Sequence, residues 1–264
     1  MNWASFCAQK PVIGMLHVPA LPGSPRNQLN FEEIFNWVIR DADTLVEGGV
    51  DGLLVENFGD VPFYPHQVPP HTVAFLTALA FTVRQRHRLP LGVNVLRNDG
   101  RSAMAIAAAV QADFVRVNIL TGARLTDQGI LEGNAHEITR DRLLLRAQVA
   151  ILADVAVKHS AALADRPLEE EIEDTIHRGL ADGIIITGPA TGKAAPLEWL
   201  ERAKKAAGQT PVFVGSGVNE GNVAKFLAVA DGVIIGTYLK EAGVCHAPVA
   251  LERVQRLRLA ARGS

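Results

Sequence analysis

Polar side chains recur in this sequence at one kind of place, the end of a short apolar run. His17 follows VIGML, Glu56 follows GLLV, Asn94 interrupts LGVNVL, and Arg97 follows that run. Arg116 and Asn118 alternate with apolar residues in FVRVNI, while Asp154 interrupts ILADVAV and Lys158 and His159 follow it. Thr187 stands after GIII. Carboxylates and imidazoles move protons, and guanidinium or ammonium groups hold anions. Buried without partners, such groups each cost on the order of 1–3 kcal/mol. A ligand-lined cavity accounts for all of them together.

Each residue also has a structural reading. Glu56 reads as a general acid–base group or as a loop anchor. Asp154 reads as a general base or as the buried ion-pair partner of Arg116. Lys158 suits a Schiff base if desolvated, or an anion clamp at a rim. His17 and His159 read as acid–base groups or as satisfied structural histidines. Period-two geometry sets Arg116 and Asn118 on one face of a strand, roughly 6.6 Å apart. Asp154, Ala156 and Lys158 share a face of the next strand, with about 13 Å between the two charged residues. Asp154 is then expected at the floor of a pocket and Lys158 at its rim. The spacing of Glu56, Asp60, Asp99 and Asp154 is not diagnostic of a metal site. No cofactor is expected, and a divalent metal on these carboxylates stays the open alternative.

The elements that must position these groups are clearest in residues 211–237, PVFVGSGVNEGNVAKFLAVADGVIIGT. This stretch reads as strand, Gly-rich turn, helix and strand. Gly215, Ser216 and Gly217 let the chain turn sharply and approach a ligand closely. Asn219 is expected to cap the following helix. Gly236 and Thr237 repeat the small-residue strand end. A pair of such ends is how a (β/α)8 barrel builds its phosphate site after strands seven and eight. These five residues are therefore assigned to phosphate binding, with Asn94, Arg97, Arg116, Asn118, His159 and Thr187 expected to hold the rest of the substrate. Six earlier strands are expected at residues 12–16, 52–55, 90–96, 114–119, 149–157 and 183–187. Apolar strands in strict alternation with helices predict a parallel sheet buried on both faces. The fold class is α/β, a TIM barrel spanning residues 1–264 as one domain. Residues 57–71, rich in proline, read as a lid or specificity loop, and residues 121–137 as a second long loop.

Composition agrees. The 264 residues are close to the roughly 250 of one such barrel. A net charge of −2 gives no broad basic field, which disfavours nucleic-acid binding. The two cysteines, Cys7 and Cys245, make no disulfide framework and no metal-type spacing. No leader pattern and no membrane-length apolar run is visible, so a cytoplasmic protein without an integral membrane segment is expected.

The segments PVIGMLHVPALPGSP, GVDGLLVENFGDVPF, LPLGVNVLRND, FVRVNILTGARLTDQG, ILADVAVKHS and VFVGSGVNEGNV, taken in order, resemble the BtpA family of TIM-barrel proteins. The resemblance covers nearly the whole chain. His17, Glu56, Asn94, Arg97, Asp99, Arg116, Asn118, Asp154, Lys158 and His159 stand where the family pattern has them. It implies a TIM barrel and two roles. One is an enzyme of sugar or nucleoside metabolism. The other is a photosystem I biogenesis factor, the role of the founding member in oxygenic phototrophs. Polar crowding at the strand ends favours acid–base chemistry by an isomerase, lyase or glycosyl hydrolase on a phosphorylated small molecule. Glu56, Asp154, Lys158 and His17 are the catalytic candidates, and a homo-oligomer is expected.

Overall fold

The apolar runs form eight strands: β1 (Val12–His17), β2 (Gly52–Glu56), β3 (Leu91–Asn94), β4 (Phe114–Val117), β5 (Ala150–Val155), β6 (Gly183–Ile186), β7 (Val212–Val214) and β8 (Gly232–Ile235). Each pairs in parallel with its neighbours in sequence, and β8 closes onto β1 to complete the barrel. The computed structural model describes residues 1–157, 159–164, 166–188 and 195–263.

Side chains alternate between two apolar layers. Those pointing outward, such as Val12, Leu53, Val93 and Val115, join the helices in the larger core. Those pointing inward, Ile13, Met15, Leu54, Phe114, Leu152, Ile185, Phe213 and Ile234, fill the barrel itself. A short helix that the sequence reading omits, Trp3–Cys7, stoppers the end where the strands begin. Trp3 stands 5.9 Å in ring-centroid distance from Phe6, Phe114 and Phe213, and its indole N–H donates to the Asp182 carbonyl at 3.0 Å. Cys7 lies in this plug, and burial pushes its thiol pKa up to about 12.

The helices pack outside. Phe31–Glu47 starts with a reciprocal capping box between Asn30 and Glu33 and buries Ile34, Val38, Ala42 and Leu45. Its Asp41 carboxylate is buried and takes Nζ of Lys240 at 2.8 Å and the Val249 N–H at 3.1 Å. Asp51, just before β2, holds Arg258 of the last helix (Leu251–Arg262) at 2.6 and 3.0 Å. The first and last units of the chain are thereby fastened together.

Two expectations about connecting segments need correction. Residues 121–137 contain two four-residue strands, Ala123–Thr126 and Gly129–Glu132, which form an antiparallel sheet with Ser160–Ala162. The following helix begins at Ala135. Asn219 is not the helix cap, because the helix is Val223–Val229 and Asn222 stands before it. The Asn222 side chain instead accepts from the Asn219 N–H at 2.8 Å and donates to the Gly217 carbonyl at 2.9 Å. It holds the Gly-rich loop in shape. The proline-rich segment after β2 is tied to its surroundings by three hydrogen bonds. Asp60 accepts from the Leu21 N–H, Asp99 from the Val68 N–H, and the Tyr64 carbonyl from the Arg97 N–H, at 2.8, 2.8 and 3.0 Å.

Candidate active site

One step above the apolar barrel layer, the inward positions become polar. His17 of β1 lies beside Glu56 of β2, Glu56 beside Asn94 of β3, and Asn94 beside Arg116 of β4 in the strand register. Strict period-two alternation places Asp154 two residues above Leu152 on β5, and Thr187 two above Ile185 of β6. The polar ring at the C-terminal strand ends thus follows directly from side-chain alternation.

Within that ring, Arg116 and Asp154 form a two-pronged ion pair, Nε to Oδ2 at 3.2 Å and Nη2 to Oδ1 at 3.0 Å, with both side chains buried. The Asn118 amide donates to Asp154 Oδ2 at 2.6 Å, and the Asn94 amide donates to Asn118 Oδ1 at 3.2 Å and to the Arg116 carbonyl at 2.9 Å. Burial alone lowers an arginine pKa, yet the carboxylates of Asp154 and Glu56 hold that of Arg116 above its ordinary value. Of the two readings of Asp154, the ion pair with Arg116 is the arrangement observed.

A cavity of about 210 Å³ opens beside the pair. Its lining includes Gly215, Ser216, Gly217, Gly236 and Thr237 together with His17, Glu56 and Arg116. Gly217 has φ +72°, a conformation that penalises any side chain, and a Cβ on Gly236 would stand 2.6 Å from His17 Cε1. Among the described residues, the backbone N–H groups of Gly217, Val218 and Thr237 have no protein acceptor. The Ser216 hydroxyl accepts from the Gly188 N–H at 2.8 Å. His17 Nε2 lies 3.9 Å from Glu56 Oε1, and the imidazole stacks on Phe58 at 4.2 Å and 16°.

Two contributors to this cavity are absent from the sequence reading. Phe58 orients His17. Arg253, from the last helix, donates Nε–H to the Tyr238 carbonyl at 2.5 Å and lays its guanidinium 4.5 Å from the Tyr238 ring centroid. It has no carboxylate partner among the described residues. One arginine among the four of the C-terminal helix gives no signal in the sequence; only the closure of the barrel brings it to the Gly-rich loops.

The other expected residues are distributed around this centre. Asp154 and Asn118 line a second cavity, also about 210 Å³, beneath the small antiparallel sheet. Arg97 is buried, and burial pulls its pKa down against the opposing carboxylates of Asp154, Asp127 and Glu56. Thr187 is buried against Gly215. His159 is exposed, at φ +57°, and lines neither cavity. Lys158 lies outside the described residues. Asp99 caps the helix Gly100–Val110 through the Ser102 N–H, and Asp60 is engaged with Leu21 and Asn57. Among the described residues no three His, Cys, Asp or Glu side chains converge as a metal centre requires. No helix among them is long and apolar enough to cross a membrane.

The fold is shared with orotidine 5'-phosphate decarboxylase from Pyrococcus horikoshii, at a TM-score of 0.58 and 14% identity over 96% of this chain and 100% of that one. Similarity in sequence runs much higher elsewhere. An uncharacterized protein of Pyrococcus furiosus is 47% identical over 95% of this chain and 94% of its own length. The photosystem I biogenesis protein BtpA of Synechocystis is 48% identical over 90% and 83%. The BtpA family model matches residues 8–262, and the chain belongs to the BtpA family.

Proposed function

We propose that this protein is an enzyme that binds a phosphorylated small molecule, a sugar phosphate or nucleotide-like compound, and acts on it by acid–base chemistry. One observation carries the reading. Gly217, Val218 and Thr237, whose N–H groups have no acceptor among the described residues, line the same small cavity as Arg253, His17 and Glu56. Oriented backbone N–H groups form an anion-binding concavity, and a preset guanidinium suits phosphate. The Glu56 carboxylate and His17 imidazole are the proton-moving pair, with Phe58 fixing the ring. Arg116 and Asp154, locked to one another, serve as the rigid floor beneath them.

The test is calorimetric titration with inorganic phosphate and a panel of sugar phosphates and nucleotides. Binding is expected for the intact chain, and Arg253→Ala is expected to weaken it at least tenfold with the fold unchanged. Absence of any phosphate-dependent binding at millimolar concentration refutes the reading. A second reading rests on the 48% identity with the Synechocystis photosystem I biogenesis protein. It expects Glu56→Gln and His17→Gln variants to replace that protein in Synechocystis cells as well as the unaltered chain does. Loss of replacement in these folded variants counts against it.

A further inference from the structure

At about 210 Å³ the phosphate cavity falls below the roughly 300–1,000 Å³ of ordinary ligand pockets. A ligand of ordinary size extends beyond it. Two neighbouring spaces are available. The cavity beneath the small sheet shares no lining residue with the phosphate cavity. A larger groove of about 770 Å³, outside β1, shares both His17 and Phe58 with it.

That groove has a different chemistry. Its lining is mostly apolar, with Pro19, Pro25, Leu29, Trp37 and Val61, and Arg26 and Gln28 add polar groups. Phe58 forms the divide, stacked on His17 toward the phosphate and facing His246 of the groove at 6.5 Å between ring centroids. Those two rings are tilted by 36°, and with Trp37 they give the groove three aromatic side chains against which a planar group can pack.

We infer that the groove bounded by Phe58, His246, Leu29 and Trp37 is a second subsite, and that it takes a flat aromatic or heteroaromatic group joined to the phosphate. This rests on the phosphate reading of the adjoining cavity. The ligand is then bipartite, with its anion on the Gly-rich loops, its reacting centre at Glu56 and His17, and its planar end beyond Phe58.

The experiment is isothermal titration of the full chain with inorganic phosphate, glycerol 3-phosphate, and phenyl, benzyl and 2-phenylethyl phosphate, so that spacer length is scanned. At least one aryl phosphate is expected to bind tenfold or more tightly than glycerol 3-phosphate. That gain is expected to vanish in Trp37→Ala and in the groove-filling Ala20→Phe, while inorganic phosphate binds each variant as before. Two independent variants guard against a folding defect in either. Aryl phosphates no tighter than glycerol 3-phosphate, with phosphate still bound, overturn the subsite and leave the phosphate reading standing. Failure of every probe overturns both. A gain that survives both groove variants but is lost in Ala162→Phe assigns the planar group to the cavity under the small sheet and also overturns the inference.

Discussion

Replacing Asp154 by asparagine removes the carboxylate that is hydrogen-bonded to the fully buried Arg116. The loss can be worked from three contacts, Arg116 Nε and Nη2 at 3.2 and 3.0 Å and the Asn118 amide at 2.6 Å. All three are donors. An asparagine presents one acceptor oxygen and one NH2 group, so at least one donor faces another donor, and the guanidinium keeps its charge without a counterion in contact. Breaking a buried pair from one side costs about 3–5 kcal/mol. For a chain of this size, about 2–4 °C of melting temperature accompanies each kcal/mol, so Asp154→Asn is expected to melt roughly 6–20 °C lower. Urea unfolding followed by circular dichroism gives the free energy, and calorimetry the melting shift. Removing the charge from the other side as well, in Arg116→Met with Asp154→Leu, is expected to destabilise by at least about 1 kcal/mol less than the two single changes added together. A loss below about 1 kcal/mol for Asp154→Asn, with native near-UV signal, refutes the view that this pair holds the floor of the site.

Three further outcomes are expected. Burial raises the Asp60 carboxyl pKa above its ordinary 3.8, against the lowering contacts from Leu21 and Asn57. A group raised on folding contributes stability below its unfolded pKa and loses it as pH rises through the folded value. The unaltered chain should therefore gain stability relative to Asp60→Asn between pH 7 and about pH 4, and the opposite trend in urea midpoints contradicts the assignment. Gly236→Ala should keep the fold, since φ there is −118°, yet displace the His17 ring, whose Nε2 would stand 2.8 Å from the new methyl. Phosphate-ester binding that is unchanged in this variant, with His17 shown by NMR to be in place, argues against the tight packing. A thiol reagent at pH 8 should modify Cys245 in the native chain and reach Cys7 only on unfolding, because the Cys7 thiol has its pKa pushed up to about 12 in the barrel plug. Two fast-reacting native thiols would contradict that burial.

The barrel was legible in the sequence because each strand is a short apolar run with a polar residue at its end, and each inward position obeys a period of two. The same regularity brought His17, Glu56, Asn94 and Arg116 into one ring. What stayed hidden obeys no period. The strands Ala123–Thr126 and Gly129–Glu132 are only four residues each and bury little besides Leu131, so no alternation stands out from a loop. Arg253 enters the cavity only through tertiary closure, as part of a helix whose exposed faces carry other arginines. The pairing of Asp154 with Arg116, set against a free catalytic base, turns on side-chain geometry across two strands, which spacing along either strand leaves open.

The clasp between the two ends of the chain has a consequence for synthesis. Asp41 to Lys240, Asp41 to Val249 and Asp51 to Arg258 are contacts across 199, 208 and 207 residues, and β1 finds its second neighbour only in β8. At about 5–20 residues per second, the ribosome needs roughly 10–40 s to supply those partners. Through that interval Val12, Ile13 and Gly14 present an unpaired parallel edge, a template for pairing with another nascent chain. A message truncated before Val233 leaves the edge open for good. Self-association of such fragments is their expected fate, which makes the last eighth of the chain the guardian of its first strand.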